Sequence, residues 1–337
     1  MFGYIVRRLV AAVFLLLAVS FITFLIFFLV PRLAGASADD LASRYVGKTA
    51  GAEAIHQRAI DMGFTDPLYV QYGRFLKGVA VGADYNTGTE IDHCPAPCLG
   101  YSYQSEQPVL PDLLDRFPVT LSLALGAGVI WLFSGVAVGV LSALRRGTVF
   151  DRAAMSVALA GVSLPIFFTA LLSLAIFSYG LKWTAGGGSY TPITENPLEW
   201  AKDLILPWIT LAFLFAAGYA RLTRAGMLET MGEDYVRTAR AKGLPERTVV
   251  IKHALRSTLT PILTIFGLDL GVLMGGAVLT ESAFSLHGLG SYAIEAINRN
   301  DLPKLLGATL LIAFFVVLAN LVVDVLYAVV DPRVRLG

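Results

Sequence analysis

The chain has 337 residues, 56% hydrophobic and only 15% charged, with a formal net charge of +1. Soluble domains carry roughly 25% charge, so this balance points to a membrane protein and away from an ordinary globular enzyme. No soluble module interleaves basic residues with aromatics, which argues against a nucleic-acid partner.

Arg7 and Arg8 precede 22 uncharged residues, Leu9 to Val30. At ~1.5 Å per residue this run covers about 33 Å and crosses a bilayer core. It is too long for a signal-peptide core, and no small-x-small cleavage site closes it before Pro31. Residues 1–30 therefore read as a short cytoplasmic segment and a retained first span. Residues 31–118 form a large region on the far side. Leu68, Tyr69, Tyr72, Phe75, Leu76 and Val79 have helical spacing there. Gly, Pro, Asn and Ser then dominate to about Ser105, which predicts loop. Cys94 and Cys98 lie in that stretch as CPAPC, on the oxidising side, and favour a disulfide. Closing so short a ring contributes ~2 kcal/mol in the chain-entropy model. A metal site using the adjacent His93 is the rival reading, but the spacing does not match a closed zinc site.

Residues 119–337 hold five more apolar runs: Val119 to Leu144, Ala153 to Ser178, Leu204 to Ala220, Leu259 to Leu279 and Leu305 to Val330. None alternates with period 2, so the expected fold is all-α with six membrane helices and both termini on one side. The N-terminus (Arg7, Arg8), the second connection (Arg145, Arg146, Arg152), the segment Arg221 to Arg256 and the tail (Arg333, Arg335) hold 15 of the 26 Lys and Arg. By the positive-inside rule these segments, and both termini, are cytoplasmic.

Between the fourth and fifth spans the chain turns polar and basic. Thr230 with Glu233 matches a capping box. Asp234 suits the first turn of a new helix and Lys242 its last. Gly243 fits the position after a helix that needs φ > 0, with Pro245 as a stop. The result is a helix of about ten residues lying across the membrane surface. Val236, Ala239 and Gly243 give it a narrow, small-residue face, poor for gripping lipid and suited to close approach by a protein groove; a lipid-bound amphipathic helix is the alternative. Asp269 sits at the centre of the fifth span, where an ionised carboxylate costs roughly 2.5–3.5 kcal/mol on insertion scales. It reads either as a station on a translocation path or as a structural group hydrogen-bonded to Ser or Thr on a neighbouring helix. Asp324, near the end of the last span, reads as structural. After the fifth span, Gly275 to Pro303 is too amphipathic to span and predicts a re-entrant or surface helix around Tyr292 to Ile297.

These features resemble one family. YVRTARAKGLPERTVVIKHALRSTLTP is similar to the cytoplasmic coupling loop of ABC-importer permeases, and EDYVRTARAKGL to their dipeptide/oligopeptide/nickel branch. MGFTDPLYVQYGRFL, QPVLPDLLDRFPVTLSLAL, the pattern Glu281, Phe284, Gly288, Leu289, Gly290, Ala296, Asp301 and Pro303, and the ending DVLYAVVDPRVR extend the likeness from Met62 to Arg335. Arg237 and Thr238 stand where the wider family has Glu and Ala, and Asn86 to Gly100 is an insertion relative to the pattern. The resemblance implies that Glu233, Asp234, Tyr235, Arg237, Ala239, Arg240, Ala241, Lys242, Gly243 and Leu244 meet an ATPase subunit. It also implies a bacterial cytoplasmic-membrane location, a second homologous permease, two ATPase subunits, an extracytoplasmic binding protein, and a cargo of peptides, nickel chelate or glutathione. The chain has no Walker motif and binds no cofactor in this reading; ATP and Mg belong to the partners. An ion-coupled secondary transporter leaves the polar segment unexplained. An intramembrane enzyme lacks HExxH and GxSxG motifs, and the four His lie outside the spans.

Overall fold

The computed structural model describes residues 2–46, 51–86, 91–184 and 186–330. Arg333 and Arg335 lie outside the described residues, as does the side chain of Asp324. Among the described residues the regular structure is helical apart from two short antiparallel hairpins. Five helices among the described residues are long and apolar enough to cross a membrane, or six if one bent pair counts as a span. Contacts divide the chain into two compact units, Met1–Pro118 with Gly288–Val317 and Val119–His287 with Leu318–Gly337.

In the first unit the span Val6–Leu33 leads into short helices Ala38–Ala42, Ala52–Asp61 and Leu68–Val81. Ser37 caps Ala38–Ala42 through a reciprocal box with Asp40, and the Ser37 N–H and hydroxyl hold the Asp40 carboxyl below the usual range. Leu41, Ala42, Ala59 and Phe64 bury their side chains together with Leu302, far along the chain. Val109 and Leu113 do the same with Leu289, Tyr292 and Ala308. The region 31–118 thus shares its core with Gly288–Val317, because neither segment has enough apolar surface to close a core alone. A polar seam reinforces it. Ser102 Oγ donates to the buried Asp301, the Leu302 N–H donates to Tyr45 Oη at 3.2 Å, and Gln104 Nε2 donates to the Arg299 carbonyl at 2.8 Å. Burial raises the Asp301 carboxyl above its ordinary value.

Within this unit two hairpins occupy and flank the stretch expected as loop up to Ser105: β1 (Ala83–Asn86) with β2 (Ile91–Cys94), and β3 (Tyr101–Ser102) with β4 (Gln107–Pro108). Tyrosines compensate for the poor strand propensity of the surrounding Gly and Pro. Tyr85 stacks on Tyr101 at 5.2 Å, and Arg58 lies 4.9 Å over the Tyr103 ring. Cys94 and Cys98 are joined as a disulfide and buried. His93 Nδ1 lies 2.6 Å from Asp84 Oδ1, and no group of three metal-ligating residues occurs among the described residues.

Four expectations about the spans change. The second helix starts at Val109 rather than Val119 and runs to Leu144, passing through Pro118. The third run is broken: Val149–Ser163 and Ile166–Gly180 meet at 106°. Pro165 lacks an N–H and forces Leu164 into an extended conformation (ψ 132), so the helix cannot continue. The fifth helix, Glu246–Met274, stops before Leu279 because Gly276 turns at φ +103. Val278–Ala283 then forms a separate short helix whose buried Glu281 accepts from Thr120 Oγ1 at 2.7 Å. The fourth helix extends well beyond the expected run, Pro197–Thr230, starting on an Asn196 cap. Its close contacts with Val109–Leu144 depend on glycine: an added Cβ at Gly139 would lie 2.5 Å from Thr223 Cβ.

Candidate functional site

The polar segment between the fourth and fifth spans is built as a short, sharply bounded helix. The fourth helix persists to Thr230, so that residue cannot cap the next one. The chain turns at Met231 and Gly232, Glu233 takes the N-cap conformation without a side-chain cap bond, and the helix covers Asp234–Ala241. The capping box expected of Thr230 and Glu233 is therefore absent; both residues fit its spacing, but one is still inside the preceding helix. Asp234 stands at the positive end of the helix dipole and Arg240 in the last turn at the negative end, with Lys242 as C-cap.

The C-terminal end is a Schellman motif. Gly243 has φ +75, its N–H bonds the Arg240 carbonyl at 2.9 Å, and the Leu244 N–H reaches the Ala239 carbonyl at 3.4 Å. Arg240 then pairs with Glu246 across the turn, Nη2 to Oε1 at 2.7 Å and Nε to Oε2 at 3.1 Å. Glu246 opens the next helical segment, which passes through a π-helical stretch, Val249–Leu255, into Arg256–Met274.

Val236 and Ala239 do not form an open face. They are buried against Val249 of the same chain. Small apolar residues pack as well on the following helix as in a partner's groove, and here the tight Gly243 turn folds that helix back within reach. The exposed surface comprises Glu233, Asp234, Tyr235, Arg237, Thr238, Arg240, Ala241, Lys242, Gly243 and Leu244. Tyr235 and Leu244 are 45% and 39% exposed, the large apolar side chains available there to a partner. The helix is thus anchored on its inner face and exposed on its outer one.

Asp269 lies in the Glu246–Met274 span, half-buried. Tyr219 Oη on the fourth helix donates to its Oδ2 at 2.7 Å, and no other hydrogen bond to Asp269 occurs among the described residues. Tyr219 belongs to an aromatic wall in which Trp131 stacks on Phe215 at 4.6 Å and meets the edge of Phe266 at 5.7 Å. Under the structural reading of Asp269 the expected partner is Ser or Thr; among the described residues it is a tyrosine that reaches it.

Sequence reasoning misses one buried ion pair. Asp151 accepts from Arg224 Nε at 2.7 Å and Nη2 at 2.8 Å. Asp151 lies two residues before the apolar run that starts at Ala153, and Arg224 falls among the cations of the polar segment. Thr148 three residues ahead, which caps the helix beginning at Val149, is the available signal.

The comparisons agree with this architecture. A family described as "binding-protein-dependent transport system inner membrane component" matches residues 135–336, and its N-terminal counterpart matches residues 1–124. The chain belongs to this family, as a multi-pass inner-membrane permease subunit of an ABC importer that works with a binding protein and with ATP hydrolysis on a separate subunit. It is 39% identical over 336 residues to a putative peptide transport system permease of Brucella abortus (strain 2308), covering 99% of both chains. It is 38% identical over 355 residues to the di/tripeptide transport permease DppB of Pseudomonas aeruginosa (strain UCBPP-PA14), with 99% of both covered. With the dipeptide transport permease DppB of Escherichia coli (strain K12) it shares 34% over 357 residues, again 99% of both. Among solved structures, the inward-facing MetNI methionine ABC transporter has a similar fold, with a TM-score of 0.51 and 17% identity over 66% of this chain and 97% of that one.

Proposed function

We propose that this chain forms half of the translocation path of an ATP-driven importer of short peptides, paired with a second homologous permease and driven by two ATPase subunits. The observation that carries the reading is the end-to-end similarity, at 34–39% identity, to permeases named for peptide transport. Both termini and the Asp234–Ala241 helix face the cytoplasm in this reading, supported by the distribution of Lys and Arg. The exposed surface from Glu233 to Leu244 docks on an ATPase subunit. Asp269, held by Tyr219, offers a passing peptide's α-amino group a counter-charge inside the membrane.

Expressed with its partner genes, the tagged chain co-purifies with ATPase chains, and mass spectrometry of the partner binding protein finds peptides. A chain that purifies without ATPase subunits contradicts the importer assembly. A metal chelate or glutathione on the binding protein contradicts the peptide assignment alone.

A further inference from the structure

The Asp151 carboxylate collects donors from three segments of one unit. Arg224, on the fourth helix, reaches both oxygens; Ser142 Oγ, on the second helix, donates to Oδ1; and the Gly147 N–H, in the connection that follows the second helix, donates to Oδ2 at 2.9 Å. The Asp151 side chain is 5% exposed and that of Arg224 25%. A planar guanidinium bound through two nitrogens sets both distance and angle, which an apolar contact does not.

This pair continues a packed line from the interhelical helix. Val236 and Ala239 rest on Val249. The adjoining Val250 and Ala254 are packed with Met227, three residues beyond Arg224, and with Ala143, beside Ser142. An added Cβ at Gly226 would lie 2.8 Å from Thr258 Cγ2, so the fourth and fifth helices have little room to slide past each other there.

We propose that Arg224 and Asp151 are positioning residues of the transport cycle, a clamp that makes the ends of the second, third and fourth helices follow the Asp234–Ala241 helix as one body. Packed apolar helices slide by shear, whereas a buried bidentate ion pair resists sliding because separation leaves a charge unpaired. Movement imposed by the ATPase then reaches the helices lining the path instead of being absorbed at the membrane surface. The inference rests on the coupling role proposed above.

The test uses the complete transporter in nanodiscs and proteoliposomes, with spin labels at Arg146→Cys and Thr238→Cys. In the otherwise wild-type protein the label-to-label distance stays the same with and without a non-hydrolysable ATP analogue; with Arg224→Gln it shifts on nucleotide binding. Transport per ATP hydrolysed falls about tenfold in Arg224→Gln, the loss expected for a charged hydrogen-bond pair, and Arg224→Lys is intermediate. A distance that changes with nucleotide in the wild type overturns the clamp, even if the Arg224 variants do not assemble. Unchanged transport per ATP in Arg224→Gln overturns it as well. A Thr238 label whose mobility is indifferent to the ATPase subunit defeats the coupling role itself, separately from the clamp.

Discussion

Gly243→Val tests the geometry of the interhelical helix most sharply. The glycine sits at φ +75 and closes the Schellman motif, so an L side chain there takes up left-handed backbone. That conformation costs roughly 1–2 kcal/mol, and more for a β-branched residue than for asparagine. An added Cβ meets nothing within 4 Å, so within this chain the penalty is conformational, not steric. A loss of that size lowers the population of the competent turn by a factor of about 5–30. Binding-protein-stimulated ATP hydrolysis and uptake in proteoliposomes should fall in the order Gly, Asn, Ala, Val, with membrane insertion unaffected. Wild-type transport by Gly243→Val with its ATPase coupled refutes the reasoning. An asparagine variant as impaired as valine would show that bulk against the partner governs, not backbone strain.

Asp269→Asn should keep assembly and basal ATP hydrolysis while uptake of peptides with a free α-amino group drops; equal effects on free and N-acetylated peptides would assign the residue a structural role. Tyr219→Phe removes a hydrogen bond to a charged group, about 1.5–3 kcal/mol, and should shift the same selectivity in the same direction. A thiol label at Ser105→Cys should react from outside the cell and one at Arg247→Cys only after permeabilisation, the reverse pattern overturning the orientation. Unreduced protein should yield a Cys94–Cys98 peptide two hydrogens lighter than the dithiol form, and free thiols or stoichiometric zinc would contradict that pairing.

The sequence discloses what depends on local chemistry. Gly243 is readable because a helix end with a following Pro245 needs a residue tolerant of φ > 0, and that is the conformation found. Hydropathy locates every long apolar helix, yet it counts residues without regard to direction. Ala153 to Ser178 therefore reads as one span although Pro165 bends it by 106°. The inner and outer faces of Asp234–Ala241 are exchanged for a related reason: composition describes Val236 and Ala239 as small and apolar but does not say which neighbour covers them. The Asp151–Arg224 pair is hidden because its members are 73 residues apart and each resembles an ordinary juxtamembrane charge. The β1–β2 hairpin escapes notice because its tyrosine partners, Tyr101 and Tyr103, lie outside its own strands, within the Gly- and Pro-rich stretch.

The most direct test is uptake of a radiolabelled dipeptide into proteoliposomes holding the permease pair and ATPase subunits, with the binding protein outside and ATP enclosed. Accumulation requiring both ATP and the binding protein, and indifferent to proton or sodium gradients, is the predicted result. Uptake driven by an ion gradient without ATP would contradict it.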